Sequence, residues 1–153
     1  MTVYRLSKEQ YKNDLSGKGA EKAGGRWNSK GITVLYTSAS RALCTAEAAV
    51  HTPLGVVPKD YHLVTIEFPD SAPPFTMEIN DLPANWKSFF HLHATQEIGD
   101  RFITEGRFLV MKVPSAVIQG DYNYLANPSH SLFPLVKIIT TEPYGFDERL
   151  FVR

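Results

Sequence analysis

Hydrophobic and polar positions follow two periods along this chain, one of two residues and one of three to four, and the switches between them mark its elements. "TVYRL" (2–6) is rich in β-favouring residues and predicts a short strand. "ITVLYTS" (32–38) alternates, with Ile32, Val34 and Tyr36 on one face and Thr33, Leu35 and Thr37 on the other, which predicts a second strand. The period then lengthens. In "RALCTAEAAVHT", Leu43, Ala46 and Val50 recur at i, i+3 and i+7, an apolar helical stripe with Ser40 placed to cap its start and Pro53 to end it. Further strands are predicted at "YHLVTIEF" (61–68), "TMEI" (76–79), "RFLVMKVPSAV" (107–117) and residues 135–140. "QEIGDRFITEG" predicts an amphipathic helix capped by Thr95 and closed by Gly106. The polar stretch between the first two strands shows no period beyond a short helical one near residues 8–14, and "NYLANPSH" reads as a loop. Six or seven strands with two or three scattered helices predict an α+β fold, one domain over residues 1–153, without the strand–helix alternation of a doubly wound sheet.

Composition narrows the class. Lys plus Arg and Asp plus Glu stand at sixteen each, so no global field draws the chain to nucleic acid or an anionic membrane, and any anion must be held locally. The single cysteine, Cys44, excludes an internal disulfide and fits a reducing compartment. The start, "MTVYRLSKEQ", lacks the apolar core of a signal peptide, and no apolar run is long enough to span a bilayer. The expectation is a soluble cytoplasmic protein.

Two residues stand out chemically. Glu47 lies four residues after Leu43 and three before Val50, so a carboxylate falls on the core-facing stripe of its helix. That placement costs several kcal/mol unless the group is paired or hydrogen-bonded. A buried Glu–Arg pair, a Glu at the stripe's wet edge and a functional carboxylate all satisfy the pattern. Arg26 stands in "GGRWNSKG", where Gly24 and Gly25 allow close approach of backbone and Arg26 offers a fork for phosphate or carboxylate, while Trp27 anchors the loop to the core. A solvated loop arginine is the plain alternative.

Other constellations are weaker. "GKGAEKAGG" lacks the Lys-Ser/Thr of a phosphate loop, and its glycine spacing and strand–helix context do not match a dinucleotide fingerprint. His91, His93 and Glu97 lack a fully spaced metal set, so no metal is expected. Cys44 and His51 share a helix face at i and i+7, without an evident orienting partner. Ser115 follows Pro114 at a strand end and suits either a sugar hydroxyl or a turn. Tyr36 and Glu47 can meet at a strand–helix corner, and Tyr122, Tyr124 and Asn127 form a polar-aromatic segment suited to rings and riboses or to a turn.

Read in order, "VYRL", "LSGKGAEKAGGRWNSKG", "VLYTS", "ALCTAEAAVH", "VPSAVI", "NYLANPSH" and "FDERL" resemble the RES domain nearly end to end. The resemblance implies a bacterial toxin whose fold is like that of ADP-ribosyltransferases, a split β-sheet core with a few flanking helices. It also implies cleavage of the nicotinamide–ribose bond of NAD⁺, by hydrolysis or phosphorolysis, with NAD⁺ as substrate and no cofactor. Its arginine, tyrosine, glutamate and serine fall on Arg26, Tyr36, Glu47 and Ser115, with Arg5 in "VYRL" resembling the first-strand arginine of some ADP-ribosylating toxins. Glu47 would then stabilise the positive ribose, Arg26 would clamp the diphosphate, Tyr36 would stack on nicotinamide, and Ser115 would orient ribose or amide; Arg5 and Asn127 are added as substrate-binding residues. The implied partners are an Xre-like antitoxin covering the active site and a second copy of the chain, with no nucleic acid bound by this chain alone and no membrane. The rival readings are transfer of ADP-ribose to a macromolecule and a non-catalytic nucleotide-binding module.

Overall fold

The computed structural model describes residues 1–152. Seven strands form one mixed sheet: β1 (Thr2–Lys8), β2 (Leu35–Ser38), β3 (Tyr61–Glu67), β4 (Phe75–Thr76), β5 (Val110–Pro114), β6 (Tyr122–Ala126) and β7 (Lys137–Tyr144). Three α-helices accompany them: α1 (Lys18–Ala23), α2 (Arg41–Val50) and α3 (His93–Glu105). The sheet order is β4-β5-β6-β2-β1-β3-β7, with β4 parallel to β5 and the other neighbours antiparallel. This is the α+β class that the scattered elements predict.

The sheet is divided at its centre. β1 pairs with β3 from Thr2↔Glu67 to Lys8↔Tyr61, and β2 pairs with β6 from Leu35↔Ala126 to Ser38↔Asn123. Between β1 and β2 the register holds at a single pair, Tyr4↔Ser38. Beyond that pair the two half-sheets part, and residues of both strands line a cavity.

The register sorts the core into two layers. Val3, Leu35, Val64, Ile66, Val110 and Ala126 join Phe68 and Leu109 on one face, under chain returning through Leu15, Leu132 and Phe133. On the other face Met111, Val113 and Leu125 meet Trp27, Trp86 and Phe102. Trp27 is buried as expected, 6.2 Å from the Trp86 ring. Gly99 of α3 lets that loop seat: a Cβ there would fall 1.7 Å from the Trp27 carbonyl oxygen.

The second helix begins as its sequence predicts, with Ser40 Oγ accepting from the Leu43 amide at 3.0 Å. Its buried face is different from the predicted stripe. Leu43 and Cys44 are buried and Val50 is exposed, because the side of α2 turned to the sheet runs through Cys44, Glu47, Ala48 and His51. Arg41–Glu142 at 2.8 Å and Thr45–Tyr144 at 2.6 Å fasten the helix to β7.

Several predicted bounds shift. The helical period at residues 8–14 becomes one 3-10 turn, Glu9–Tyr11, while α1 forms inside the glycine-bearing stretch. The second strand starts at Leu35 instead of residue 32, the short strand is Phe75–Thr76, and α3 starts at His93 with Leu92 at its cap. Thr95 therefore lies inside the helix, its hydroxyl donating to the Leu92 carbonyl at 2.9 Å. Gly106 closes α3 in the left-handed region at φ 60°, as predicted. The segment expected as a loop after residue 122 is instead β6, a central strand.

Candidate functional site

Glu47 sits where α2 crosses the divided sheet, and its carboxylate is held from the opposite side. Ser115 Oγ donates to Glu47 Oε1 at 2.9 Å, and Asn123 Nδ2 donates to the same oxygen at 2.6 Å. Among the described residues no hydrogen bond falls on Oε2. A carboxylate so placed is anchored through one oxygen and presents the other.

The anchors are themselves fixed. Ser115 is 2% exposed, and its Oγ accepts from the amides of Val117 and Ile118, both at 3.0 Å. The strand end thus makes an ST turn whose hydroxyl proton has one place to go, the carboxylate. Asn123 lies on β6 directly across from Ser38, whose hydroxyl donates to Asn123 Oδ1 at 2.8 Å.

A cavity of about 260 Å³ opens beside Glu47, in the gap where β1 and β2 part. Its wall comprises Tyr4, Arg5 and Leu6 of β1, Tyr36, Thr37 and Ser38 of β2, Cys44, Glu47 and Ala48 of α2, His51 and Asn123. Arg5 is steadied by a hydrogen bond to the Asp14 carbonyl. Burial pushes the Cys44 thiol up to about 11 and, more strongly, raises the Tyr36 phenol, so both stay neutral at neutral pH.

Tyr36 is locked by the loop that precedes it. Its hydroxyl donates to Asn28 Oδ1 at 2.7 Å and accepts from the Trp27 amide at 3.2 Å. Asn28, fully buried, in turn donates to the carbonyls of Ala20, Ser29 and Ile32. Gly25 permits this closure, since a Cβ there would stand 2.8 Å from the Tyr36 hydroxyl. The clearance expected for a ligand at Gly25 is thus occupied by Tyr36, while Gly24 takes φ 70° to turn the chain.

Arg26 stands at the rim. Its guanidinium donates to the Trp86 carbonyl and, through two nitrogens at 3.1 Å each, to the Ser88 carbonyl. Desolvation lowers its pKa, and the negative charge of Glu47 opposes that shift, which places the two groups in one field. Desolvation, then the neighbouring Arg26 and His51, hold His91 below the usual imidazole range. The loop that Arg26 ties down carries Phe89 and Phe90, 88% and 80% exposed and edge-to-face at 5.3 Å.

Of the residues singled out from sequence, Glu47, Tyr36 and Arg5 line the cavity, Arg26 stands beside it, and Ser115 reaches it through Glu47. Asn127 is elsewhere. It is buried after β6, its Nδ2 donating to the Ile103 carbonyl at 3.1 Å and its Oδ1 accepting from the Ser129 amide at 2.9 Å, so it braces its own loop. His91 and His93 do not share a strand; His93 opens α3 and meets Glu97 at 3.1 Å. Cys44 and His51 both reach the cavity, but the thiol is buried and protonated. Sequence reasoning missed Asn123, Ser38 and Tyr4. The available signal was the alternation in "YNYLA", which places Asn123 and Leu125 on one face of a strand.

The RES domain family model matches residues 2–147. The chain belongs to the RES domain family. This RES domain is 32% identical to "Toxin Res" of Yersinia enterocolitica, over 98% of this chain and 99% of the relative. It is 34% identical to "Toxin Res" of Pseudomonas putida, over 99% and 100%. It is also 32% identical to the "Prs ADP-ribosylating toxin" of Sphingobium sp., over 90% and 87%. In structure this RES domain is similar to a chain of the M. tuberculosis MbcT–MbcA toxin–antitoxin complex, with a TM-score of 0.64 at 20% identity over 94% of this chain and 84% of that one. That likeness carries the fold.

Proposed function

We propose that this RES domain is a toxin that cleaves the nicotinamide–ribose bond of NAD⁺. The observation that carries the reading is Glu47, anchored through Oε1 at the wall of a cavity between two tyrosine rings and an arginine. Nicotinamide leaves NAD⁺ neutral and needs no proton, so the demand on the protein is to stabilise a positive, oxocarbenium-like ribose. A rigidly held carboxylate meets that demand electrostatically and can orient the incoming nucleophile through its other oxygen. At about 260 Å³ the cavity is smaller than the roughly 300–1,000 Å³ of common ligand pockets, so it receives one end of the dinucleotide. The nicotinamide ribose enters against Tyr36, and the diphosphate lies toward the guanidinia of Arg5 and Arg26. Ser115 contributes by holding Glu47.

Relatives named as toxins and a structural neighbour solved as a toxin–antitoxin complex support a cytoplasmic toxin with an antitoxin partner. The exposed Phe89 and Phe90 beside the site support a protein that covers it, with an Xre-like antitoxin the partner that the family resemblance implies and self-association of the toxin within that complex. One relative is named an ADP-ribosylating toxin, which favours transfer of ADP-ribose to a macromolecule as the second reading.

NAD⁺ labelled in the adenylate half separates these outcomes, with and without inorganic phosphate. Free ADP-ribose or its phosphorylated form supports cleavage to water or phosphate. Label retained on protein or nucleic acid supports transfer. Binding without nicotinamide release leaves a non-catalytic module and overturns both.

A further inference from the structure

Ser115 reaches Glu47 Oε1 from the turn after β5, and Asn123 reaches the same oxygen from β6. The two donors come from different elements, so together they fix both the depth and the rotation of the carboxylate. We propose that Asn123, oriented by Ser38, is a positioning residue that holds Glu47 through Oε1 and keeps Oε2 for the reacting ribose. This rests on the NAD⁺ reading given above.

The amide has one productive orientation. A carboxylate accepts only, so the end of Asn123 that faces Glu47 at 2.6 Å must be the Nδ2 donor. Flipped, Oδ1 would oppose Oε1, two acceptors in contact. The Ser38 hydroxyl donates to Oδ1 at 2.8 Å and holds the other end. The backbone beneath is stiff as well: Asn123 pairs with Ser38 of β2 on one side and Val113 of β5 on the other. The other charged or titratable groups around Glu47 are Arg26 of the preceding loop, Tyr4 and Arg5 of β1, Tyr36 of β2, and Cys44 and His51 on its own helix and cap. None of these donates a hydrogen bond to Oε1.

Two variants test the assignment. Asn123→Asp keeps the shape and replaces the donor by a second carboxylate, so the two acids share a proton only when the solution is acidic enough. NAD⁺ turnover at neutral pH is expected to fall about 100-fold, the loss typical of a misplaced reacting group, with KM little changed and partial recovery as pH is lowered. Wild-type kcat with a wild-type pH profile overturns the proposal. Crystal structures of Asn123→Ala and Ser38→Ala supply a readout independent of turnover. The expected result is a Glu47 carboxylate rotated away from its wild-type place in Asn123→Ala and a reoriented Asn123 amide in Ser38→Ala. A Glu47 that superposes on wild type in Asn123→Ala overturns the positioning role. If wild-type protein leaves NAD⁺ intact, the NAD⁺ reading fails, and the crystal structures still decide whether Asn123 positions Glu47.

Discussion

Ser115 gives its hydroxyl proton to Glu47 Oε1 at 2.9 Å while its oxygen receives two backbone amides, so one side chain both closes a turn and aims a carboxylate. Ser115→Ala removes both functions. The expected outcome is a kcat for NAD⁺ cleavage lower by about 100-fold with KM nearly constant, because the loss falls on orientation and not on substrate contact. Two unsatisfied amides should lower stability by about 2 kcal/mol, read as a drop in thermal midpoint. A raised KM with unchanged kcat would instead assign Ser115 to direct substrate binding.

Glu47→Gln separates charge from shape. The glutamine carbonyl can still accept from Ser115 and Asn123, so the thermal midpoint should stay close to that of wild type. NAD⁺ turnover should fall by about 1,000-fold or more as the charge facing the oxocarbenium ion is lost. Turnover at the wild-type rate would remove Glu47 from the chemistry.

Arg26 joins the site rim to the Phe89–Phe90 loop. Arg26→Lys keeps a charge but loses the fork that spans the carbonyls of Trp86 and Ser88. Backbone amides between residues 87 and 92 should exchange hydrogen faster, measured by mass spectrometry, and NAD⁺ affinity should weaken in calorimetry. Unchanged exchange would show that the loop is held by other contacts.

Cys44 predicts a pH dependence of stability. Its folded-state pKa, about 11, lies above the ordinary thiol value of 9.0. Between these values the unfolded chain releases its proton first, so the contribution is complete below about pH 9 and is lost as pH rises through about 11. Tyr36 shifts in the same direction, so the comparison needs the Cys44→Ala variant. In urea melts from pH 8 to 10.5, wild type should lose stability more steeply than Cys44→Ala, and parallel curves would contradict the burial of the thiol.

Gly99→Ala tests the packing that seats the Arg26 loop. Its Cβ would meet the Trp27 carbonyl at 1.7 Å, too close for a small local shift to relieve. A destabilisation of about 3 kcal/mol or more is expected from such overpacking, visible in the thermal midpoint. A neutral result would mean that α3 and the Trp27 loop are not held at this separation.

Much of this architecture is legible in local patterns. Ser40 capping α2, Gly106 closing α3, the alternation around Tyr36 and the burial of Trp27 each depend on interactions within a few residues or on plain hydrophobicity. The same locality explains the errors. β6 reads as a loop because "NYLANPSH" is polar and ends in turn residues, and only its two neighbours, β2 and β5, make it a central strand. Val50 fits an apolar stripe by spacing, yet the side of α2 turned to the sheet runs through Cys44, Glu47, Ala48 and His51 and leaves Val50 exposed.

The chain by itself singles out the candidate residues: a carboxylate placed against a helix's apolar side, an arginine and tryptophan between glycines, a tyrosine at a strand end, and a serine after a proline. Their motif order also identifies the RES family. What the tertiary structure alone decides is who touches whom. Glu47 finds Ser115 and Asn123 across 68 and 76 residues of sequence, and Gly25 makes room for Tyr36 and not for a ligand. Hydrogen bonds over such separations depend on strand register and on where the half-sheets part, and no local period encodes either.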